Sequence, residues 1–490
     1  LFHAGSRKWY GIVLAAGSLA LLLFVGQRAS IPSSRDGLEF DADKFTVKTL
    51  TSDGRTVTYR AYEGILYVSK PVAANYQTMN FYVPAEYCEG KSVGGYTAET
   101  APVFLPNTVG GYMPGPPGSP GVDRMGRPNT ISLALARGFV VAAPGARGRT
   151  LKGGDGLYIG KAPACIVDLK AAVRYLRHND AIMPGNAERI VSNGTSAGGA
   201  LSSLLGATGN NPDYEPFLKD IGAAVARDDI FAASCYCPIT NLENADAAYE
   251  WLFHGVWDYV QFGRKNTMDA DQIGLSQKLK ALFPAYVNSL GLRDPKGRSL
   301  TLDESGEGPF RDYVKSFVIA SAQRALSEGK ALSGLGWLTI RDGSVTDVDL
   351  GRFPAYATRM KPAPAFDSPD LGSPENSLFG NATTDKRHFT AFGASNSRDR
   401  SVADPAVVRM MNPMEYIGAA ATTTARYWRI RHGLVDRDTS LAVPVILAAK
   451  LENHGADVDF AMPWGQGHGG DYDLDELFAW IDRICRSSTR

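Results

Sequence analysis

The chain reads as an α/β protein: a doubly wound, mostly parallel sheet interrupted by a large inserted segment that forms a lid. Three observations carry this expectation. Apolar runs rich in Val, Ile and Thr alternate with amphipathic helical stretches, the pattern of crossover-linked parallel strands. One of these strands, Arg189 to Ser196, runs into Gly194-Thr195-Ser196-Ala197-Gly198-Gly199 and then directly into a small-residue helix. The strand–helix alternation lapses from about residue 247 to 410 and then resumes, so two separate stretches of chain complete one sheet.

Composition sets the outer limits. At 490 residues and 44% hydrophobic content the chain buries a large core and is not globally disordered. Its 51 basic and 51 acidic residues balance, so no global field exists to hold nucleic acid, and no nucleic-acid partner is expected. The five cysteines, Cys88, Cys165, Cys235, Cys237 and Cys485, are odd in number and sparse, which excludes a disulfide framework. Cys235 and Cys237 lie two apart in an apolar run, where both face one side of a strand as small hydrophobes. No Cys/His spacing matches a zinc site, so neither a metal nor another cofactor is expected.

In chain order, residues 1–30 come first. Arg7 and Lys8 precede an uncharged apolar run from Gly11 to Gly26, the pattern of an export signal. The run is short for a span of about 20 residues, though retention as a membrane anchor fits the same pattern. The expectation is a secreted or periplasmic protein, meeting a membrane only through this segment if it stays uncleaved.

The first part of the core occupies 40–246. Phe45–Leu50, Arg55–Tyr62 and Tyr76–Val83 are extended and rich in Thr, Val and Tyr, with Ser52-Asp53-Gly54 as a hairpin turn. They predict an antiparallel start to a mixed sheet. Ala101–Pro106 is a buried strand that enters a Gly- and Pro-rich loop containing Gly110 and Gly111. Phe139–Pro144 is the next strand. Cys165–His178 is an amphipathic helix, with Ile166, Leu169, Ala172, Val173 and Leu176 on one face. Ile230–Asn241 is another apolar run.

Residues 247–410 are helical, turn-rich and aromatic. Ser196 and Asp436 lie about 240 residues apart, where one parallel crossover needs only a dozen or more. A structureless loop of that length is improbable, so this segment reads as a lid domain. The second part of the core, 411–490, supplies a strand at Tyr427–Gly433, a helix at Leu441–Leu451, a last strand at Val458–Trp464 and a terminal helix at Leu474–Ile484.

Gly-x-Ser-x-Gly at a strand-to-helix turn is the nucleophile elbow of an α/β-hydrolase. Glycines flank Ser196 because a side chain there would collide with neighbouring backbone. Serine becomes a nucleophile when a histidine takes its proton, and an acid must fix that histidine's tautomer. The order in this fold is Ser, acid, His. His468, in Gly465-Gln466-Gly467-His468-Gly469-Gly470 just beyond the last strand, is the histidine in that position. His254 and His388 read as polar surface residues of the insertion, and His432 as a satisfied structural residue ending a strand. The acid follows the preceding strand, where Asp436 and Asp438 both stand; Asp438 also suits a helix cap. Ala197 supplies one oxyanion N–H, and Gly110 and Gly111 allow a second from the loop after the Val103–Leu105 strand.

These motifs resemble those of the bacterial tannases. The resemblance rests on Gly194-Thr195-Ser196-Ala197-Gly198-Gly199, on Arg431-His432-Gly433-Leu434-Val435-Asp436-Arg437-Asp438, and on Met462-Pro463-Trp464-Gly465-Gln466-Gly467-His468 with Gly470-Asp471-Tyr472 after it. It spans the chain from about residue 40. It implies a serine esterase that releases gallic acid from gallate esters and gallotannin depsides through an acyl-enzyme, with Asp436 as the triad acid. It further implies that Asp438, Lys361 and Glu375 bind the three phenolic hydroxyls of a galloyl ring. Carboxylates accept from phenols and an ammonium favours phenolate character, so the set is chemically apt. The alternative on the same scaffold is an esterase of another phenolic acid, such as a feruloyl or protocatechuate ester. Fungal tannases and feruloyl esterases pair a cysteine beside the serine with one beside the histidine; Thr195 and Gly467 or Gly469 stand in those places here.

Overall fold

A nine-stranded sheet runs through the protein. Its strands are β1 (Thr46–Ser52), β2 (Arg55–Leu66), β3 (Thr78–Pro84), β4 (Pro102–Pro106), β5 (Val140–Pro144), β6 (Asn186–Thr195), β7 (Ala232–Tyr236), β8 (Tyr427–Arg431) and β9 (Asp457–Ala461). They lie in the order β1-β2-β3-β5-β4-β6-β7-β8-β9. Pairing is antiparallel from β1 through β3 to β5 and parallel everywhere beyond. This computed structural model describes residues 37–487 apart from 53, 54, 124, 125 and 262. The export segment and the tip of the first hairpin therefore lie outside the described residues.

The central strands are buried on both faces, as continuous apolar runs such as Val140–Pro144 require. Flanking them are α1 (Thr130–Ala136), α2 (Ala164–His178) and α3 (Ala197–Ala207), followed by α4 (Leu242–Phe253). Beyond α4 come α5 (Ala270–Ser289), α6 (Pro309–Ser327) and the short α7 (Pro374–Leu378), and finally α8 (Ala442–Asn453) and α9 (Leu474–Ser487). On α9, Phe478 meets Phe104 and Phe139 edge-on, pinning the terminal helix to β4 and the start of β5. Among the described residues no helix is long and apolar enough to cross a membrane.

All elements between α4 and β8 belong to the long connection from β7 to β8. Its α5 opens on a capping box, with Asp269 accepting from the Gln272 amide and the Gln272 side chain from Asp269 N–H. It also contains two short hairpins, Asp258–Gln261 with Arg264–Thr267 and Leu338–Arg341 with Ser344–Val348.

Three expectations need correction. The strand carrying Cys235 ends at Tyr236, and Cys237 turns away with φ 43°, so the two thiols do not share one strand face. His388 is fully buried rather than on the surface, with Nδ1 2.6 Å from Asp367 Oδ1. His432 is also fully buried, yet neither ring nitrogen has a hydrogen-bond partner, so it is not a satisfied structural residue.

Candidate active site

Ser196 sits at the end of β6 with φ 60° and ψ −123°. A non-glycine residue holds such a conformation only when its surroundings enforce it. Here they do: Ser196 N–H donates to Tyr236 O at 2.9 Å, and the next residue already begins α3. The flanking glycines are sterically required. A methyl on Gly194 would strike the Gly198 carbonyl, and one on Gly198 would lie 2.6 Å from Asn107 Oδ1 and 2.8 Å from Val109 O.

Asn107 gave no signal in the sequence. Its Nδ2 lies 3.2 Å from Asn193 O, 3.1 Å from Gly198 O and 3.3 Å from Ser202 Oγ, and its Oδ1 accepts from Val109 N–H. One amide thus stitches the loop after β4 to both sides of the elbow. Gly110 and Gly111 follow in that loop, and both face open space. Arg149 Nε, bound to Gly111 O at 2.8 Å, steadies it.

The loops after β8 and β9 are joined through their backbones. Leu434 N–H donates to Pro463 O and Val435 N–H to Gln466 O, each at 3.0 Å. That seam brings His468 Nδ1 to 2.8 Å from Asp436 Oδ2. The other oxygen of Asp436 accepts from Asp438 N–H at 2.8 Å. The histidine loop is further anchored by Asp471, held by Thr130 Oγ1 at 2.5 Å and by Asn193 Nδ2 at 3.1 Å. Asp471 therefore ties the histidine loop to the strand that carries Ser196.

Electrostatics follow from burial and pairing. Burial pushes the Asp436 carboxyl up, but the neighbouring His432 and His468 rings outweigh it and hold the group down at about 2. Burial pulls His468 down, yet its bond to Asp436, its contact with Cys237 and the charges of Asp436 and Asp438 raise it above the ordinary imidazole range. Asp438 Oδ2 is 3.6 Å from His468 Nε2. Among the described residues no hydrogen bond joins Ser196 Oγ to Nε2. Such bonds commonly tighten only once substrate is bound.

Lys361, Glu375 and Asp438 come together from three segments. Lys361 Nζ lies 2.5 Å from Asp438 Oδ1 and 4.0 Å from the centroid of the Phe366 ring. Burial lowers the ammonium's pKa, but the Asp438 and Glu375 charges outweigh it and the net shift is upward. Glu375, in the first turn of α7, is buried; burial raises its carboxyl, and its Oε2 has no hydrogen-bond partner.

The residues of α4 hold this arrangement, and sequence patterns did not single them out. Tyr249 Oη donates to Arg437 O at 2.9 Å and accepts from Met360 N–H at 3.2 Å and Lys361 N–H at 3.3 Å. Glu250 pairs with Arg359, both fully buried, and Arg359 Nε donates to Lys361 O at 2.6 Å. Asp246 accepts the Phe366 and Asp367 amides at 2.7 and 2.9 Å; burial drives its carboxyl up to about 7. An acidic, aromatic helix face is an ordinary sight in sequence, so its purpose is visible only once residues 359–367 are seen lying on it.

The family model BD-FAE matches residues 123–249. The esterase LipQ of Mycobacterium tuberculosis (strain ATCC 25618 / H37Rv) is 32% identical over 128 residues, a match covering 26% of this chain and 28% of that protein. The crystal structure of Fusobacterium nucleatum tannase superimposes with a TM-score of 0.90 at 51% identity, covering 92% of this chain and all of the other (100%). A tannin acyl hydrolase in complex with ethyl gallate superimposes with a TM-score of 0.88 at 48% identity, covering 91% of this chain and 99% of the other.

Proposed function

This chain belongs to the tannases, carboxylic ester hydrolases of the α/β-hydrolase fold, and we propose that it cleaves galloyl esters, including gallotannin depsides, through an acyl-enzyme on Ser196. The observation that carries the substrate class is the convergence of Lys361, Asp438 and Glu375 beside His468, with a buried Glu375 oxygen left without a protein partner. A bound ring whose hydroxyls donate to the two carboxylates, with Lys361 stabilising phenolate character, satisfies that oxygen. The relative captured with ethyl gallate supports the same reading.

In this mechanism His468 Nε2 takes the proton of Ser196 as Oγ attacks the ester carbonyl. Asp436 holds Nδ1–H and stabilises the imidazolium that forms. The developing oxyanion is met by the Ala197 N–H and by an N–H of the Gly110–Gly111 loop. His468 then returns its proton to the departing alcohol. Water activated by the same ring releases gallic acid. Residues 247–410 act as a lid that supplies the ring-binding wall to the core formed by 40–246 and 411–490. The apolar segment within residues 1–30 directs export to the periplasm or outside the cell.

The test is kcat/KM for methyl gallate, methyl 3,4-dihydroxybenzoate and methyl benzoate. The expected order is gallate, then dihydroxybenzoate, then benzoate far behind. A site built to pair hydroxyls rejects analogues lacking them by up to about 10⁴-fold. Equal values would eliminate a hydroxyl-reading pocket and leave a general esterase. Faster turnover of methyl ferulate than of methyl gallate would assign a different phenolic acid.

A further inference from the structure

Beneath the Asp436–His468 pair lies a cluster that ester hydrolysis does not use in full. Cys237 Sγ, a ring nitrogen of His432 and a carboxylate oxygen of Asp436 all lie within 4.8 Å of one another. All three residues are buried, at 0%, 0% and 1% exposure. His432 Nδ1 is 3.7 Å from Asp436 Oδ2, and although the Cys237 thiol lies beside the ring, neither of its nitrogens makes a well-formed hydrogen bond. Buried polar groups in folded proteins are almost always paired, and an orphan calls for an explanation. The buried histidine of the insertion, His388, does have a carboxylate partner on Nδ1.

We propose that Cys237, His432 and Asp436 form an inhibitory site for a borderline divalent transition cation of the zinc type. Thiolate, imidazole and carboxylate are the donors zinc takes, whereas magnesium and calcium take oxygen alone. Three protein ligands leave one position open for water. Charge balances: the Cys237 thiol gives its proton to solvent on coordination, and the two resulting anions with neutral His432 offset the two charges of the ion. In a tetrahedral site, metal–ligand bonds of about 2.0–2.3 Å set the ligand atoms roughly 3.3–3.8 Å apart, so the side chains must draw inward by up to about an ångström from their present separations of 4.8 Å or less. Cys237 Sγ gives up its contact with Gly469 O, now 3.3 Å, in doing so. Entry is by way of His468, whose side chain is 23% exposed while that of Asp436 is fully covered.

Inhibition follows from a shared atom. Asp436 Oδ2 is the oxygen that holds His468 Nδ1. An ion that takes this oxygen removes the base's orienting partner, and its charge opposes the imidazolium that proton transfer creates. Spacing along the chain conceals the site, because Cys237 comes from the loop after β7 and the other two from the loop after β8.

Cobalt(II) is the probe, titrated into the Cys88→Ser protein so that the exposed thiol does not contribute. The expected result is one equivalent bound, with a thiolate-to-cobalt charge-transfer band and intense tetrahedral d–d bands. Both signatures should be lost in Cys237→Ser and in His432→Gln. In parallel, zinc should lower turnover of ethyl acetate at least tenfold, reversibly with a chelator. Each variant is compared with its own metal-free rate, and both should be at least tenfold less sensitive. Absence of the charge-transfer band from the Cys88→Ser protein would overturn the proposal, whether or not either further variant folds. So would a band, or a zinc sensitivity, that survives in Cys237→Ser. The spectrum involves no ester, so its outcome is independent of whether gallate is the substrate.

Discussion

Lys361 Nζ lies 2.5 Å from Asp438 Oδ1, while the other oxygen of the same carboxylate lies 3.6 Å from His468 Nε2. Asp438 thus stands between the candidate ring-binding lysine and the candidate base. Lys361→Ala, Glu375→Ala and Asp438→Ala should each lower kcat/KM for methyl gallate by about tenfold or more, since losing the partner of a buried polar group costs roughly 1–3 kcal/mol. Benzoate ester turnover should change far less. The gallate-to-benzoate ratio measures this, and an unchanged ratio would remove these residues from the pocket.

The Asp436–His468 contact of 2.8 Å leads to a separate expectation. Asp436→Asn keeps the size of the side chain but presents the wrong tautomer to the ring, and kcat should fall by about 10⁴-fold with little change in KM. Ser196→Ala should fall at least as far. Steady-state kinetics on methyl gallate decide the point, and near wild-type turnover of Asp436→Asn would assign the acid elsewhere.

For pH dependence, the base acts only when neutral. Burial lowers the His468 pKa, but its bond to Asp436 and nearby charge, including that of Asp438, raise it overall. The acidic limb of kcat/KM should therefore fall off at a pH above the ordinary imidazole range, with activity lost as pH drops through that raised value. Asp438→Asn removes one of the raising charges, so its limb should move to lower pH. The profile is measured on ethyl acetate, which has no ring hydroxyls to involve Asp438 in binding.

Tyr249 bridges the loop bearing Asp438 and the segment bearing Lys361 through three backbone groups. Tyr249→Phe strands one carbonyl and two amides, at a cost of about 1–3 kcal/mol for each that finds no water. Tm should drop, and KM for methyl gallate should rise proportionately more than KM for ethyl acetate. Equal effects on the two esters would make Tyr249 a structural residue only.

Glu250 and Arg359 form an ion pair with both side chains fully buried. Removing one partner leaves an uncompensated buried charge, which costs about 3–5 kcal/mol. Glu250→Gln should show that loss in urea unfolding, and should also weaken gallate binding because Arg359 Nε holds the Lys361 carbonyl. A paired replacement, Glu250→Leu with Arg359→Met, should recover much of the stability without recovering gallate preference.

Local chemistry made much of this protein legible in its sequence. The elbow could be read because a positive φ at Ser196 needs small neighbours, and Gly194 and Gly198 stand two positions to either side of it. The sheet could be read because most strands buried on both faces are apolar runs, and the expected boundaries lie within a few residues of the observed ones except in Ile230–Asn241, of which only Ala232–Tyr236 is strand. Pro463 and Trp464, expected at the end of the last strand, instead form the turn that meets Leu434. His468 was identifiable from its place just beyond the last strand, but its partner was not, because Asp436 and Asp438 differ by two positions in one loop.

Tertiary structure decided what depends on distance through space. It is the backbone seam between Leu434–Val435 and Pro463–Gln466 that carries Asp436, not Asp438, to His468 Nδ1. Packing, likewise, buries His388 and leaves the ring nitrogens of His432 without a well-formed hydrogen bond beside Asp436, although both are ordinary polar letters in the chain. Asn107 and Tyr249 each join segments far apart in sequence, through side chains whose identity alone carries no periodic or motif signal. A turn needs specific residues at neighbouring positions, so it leaves a mark in the sequence. A hydrogen bond across the fold needs only a donor and an acceptor that folding brings together, and where they meet is settled by the closing of the sheet and the course of the chain between β7 and β8.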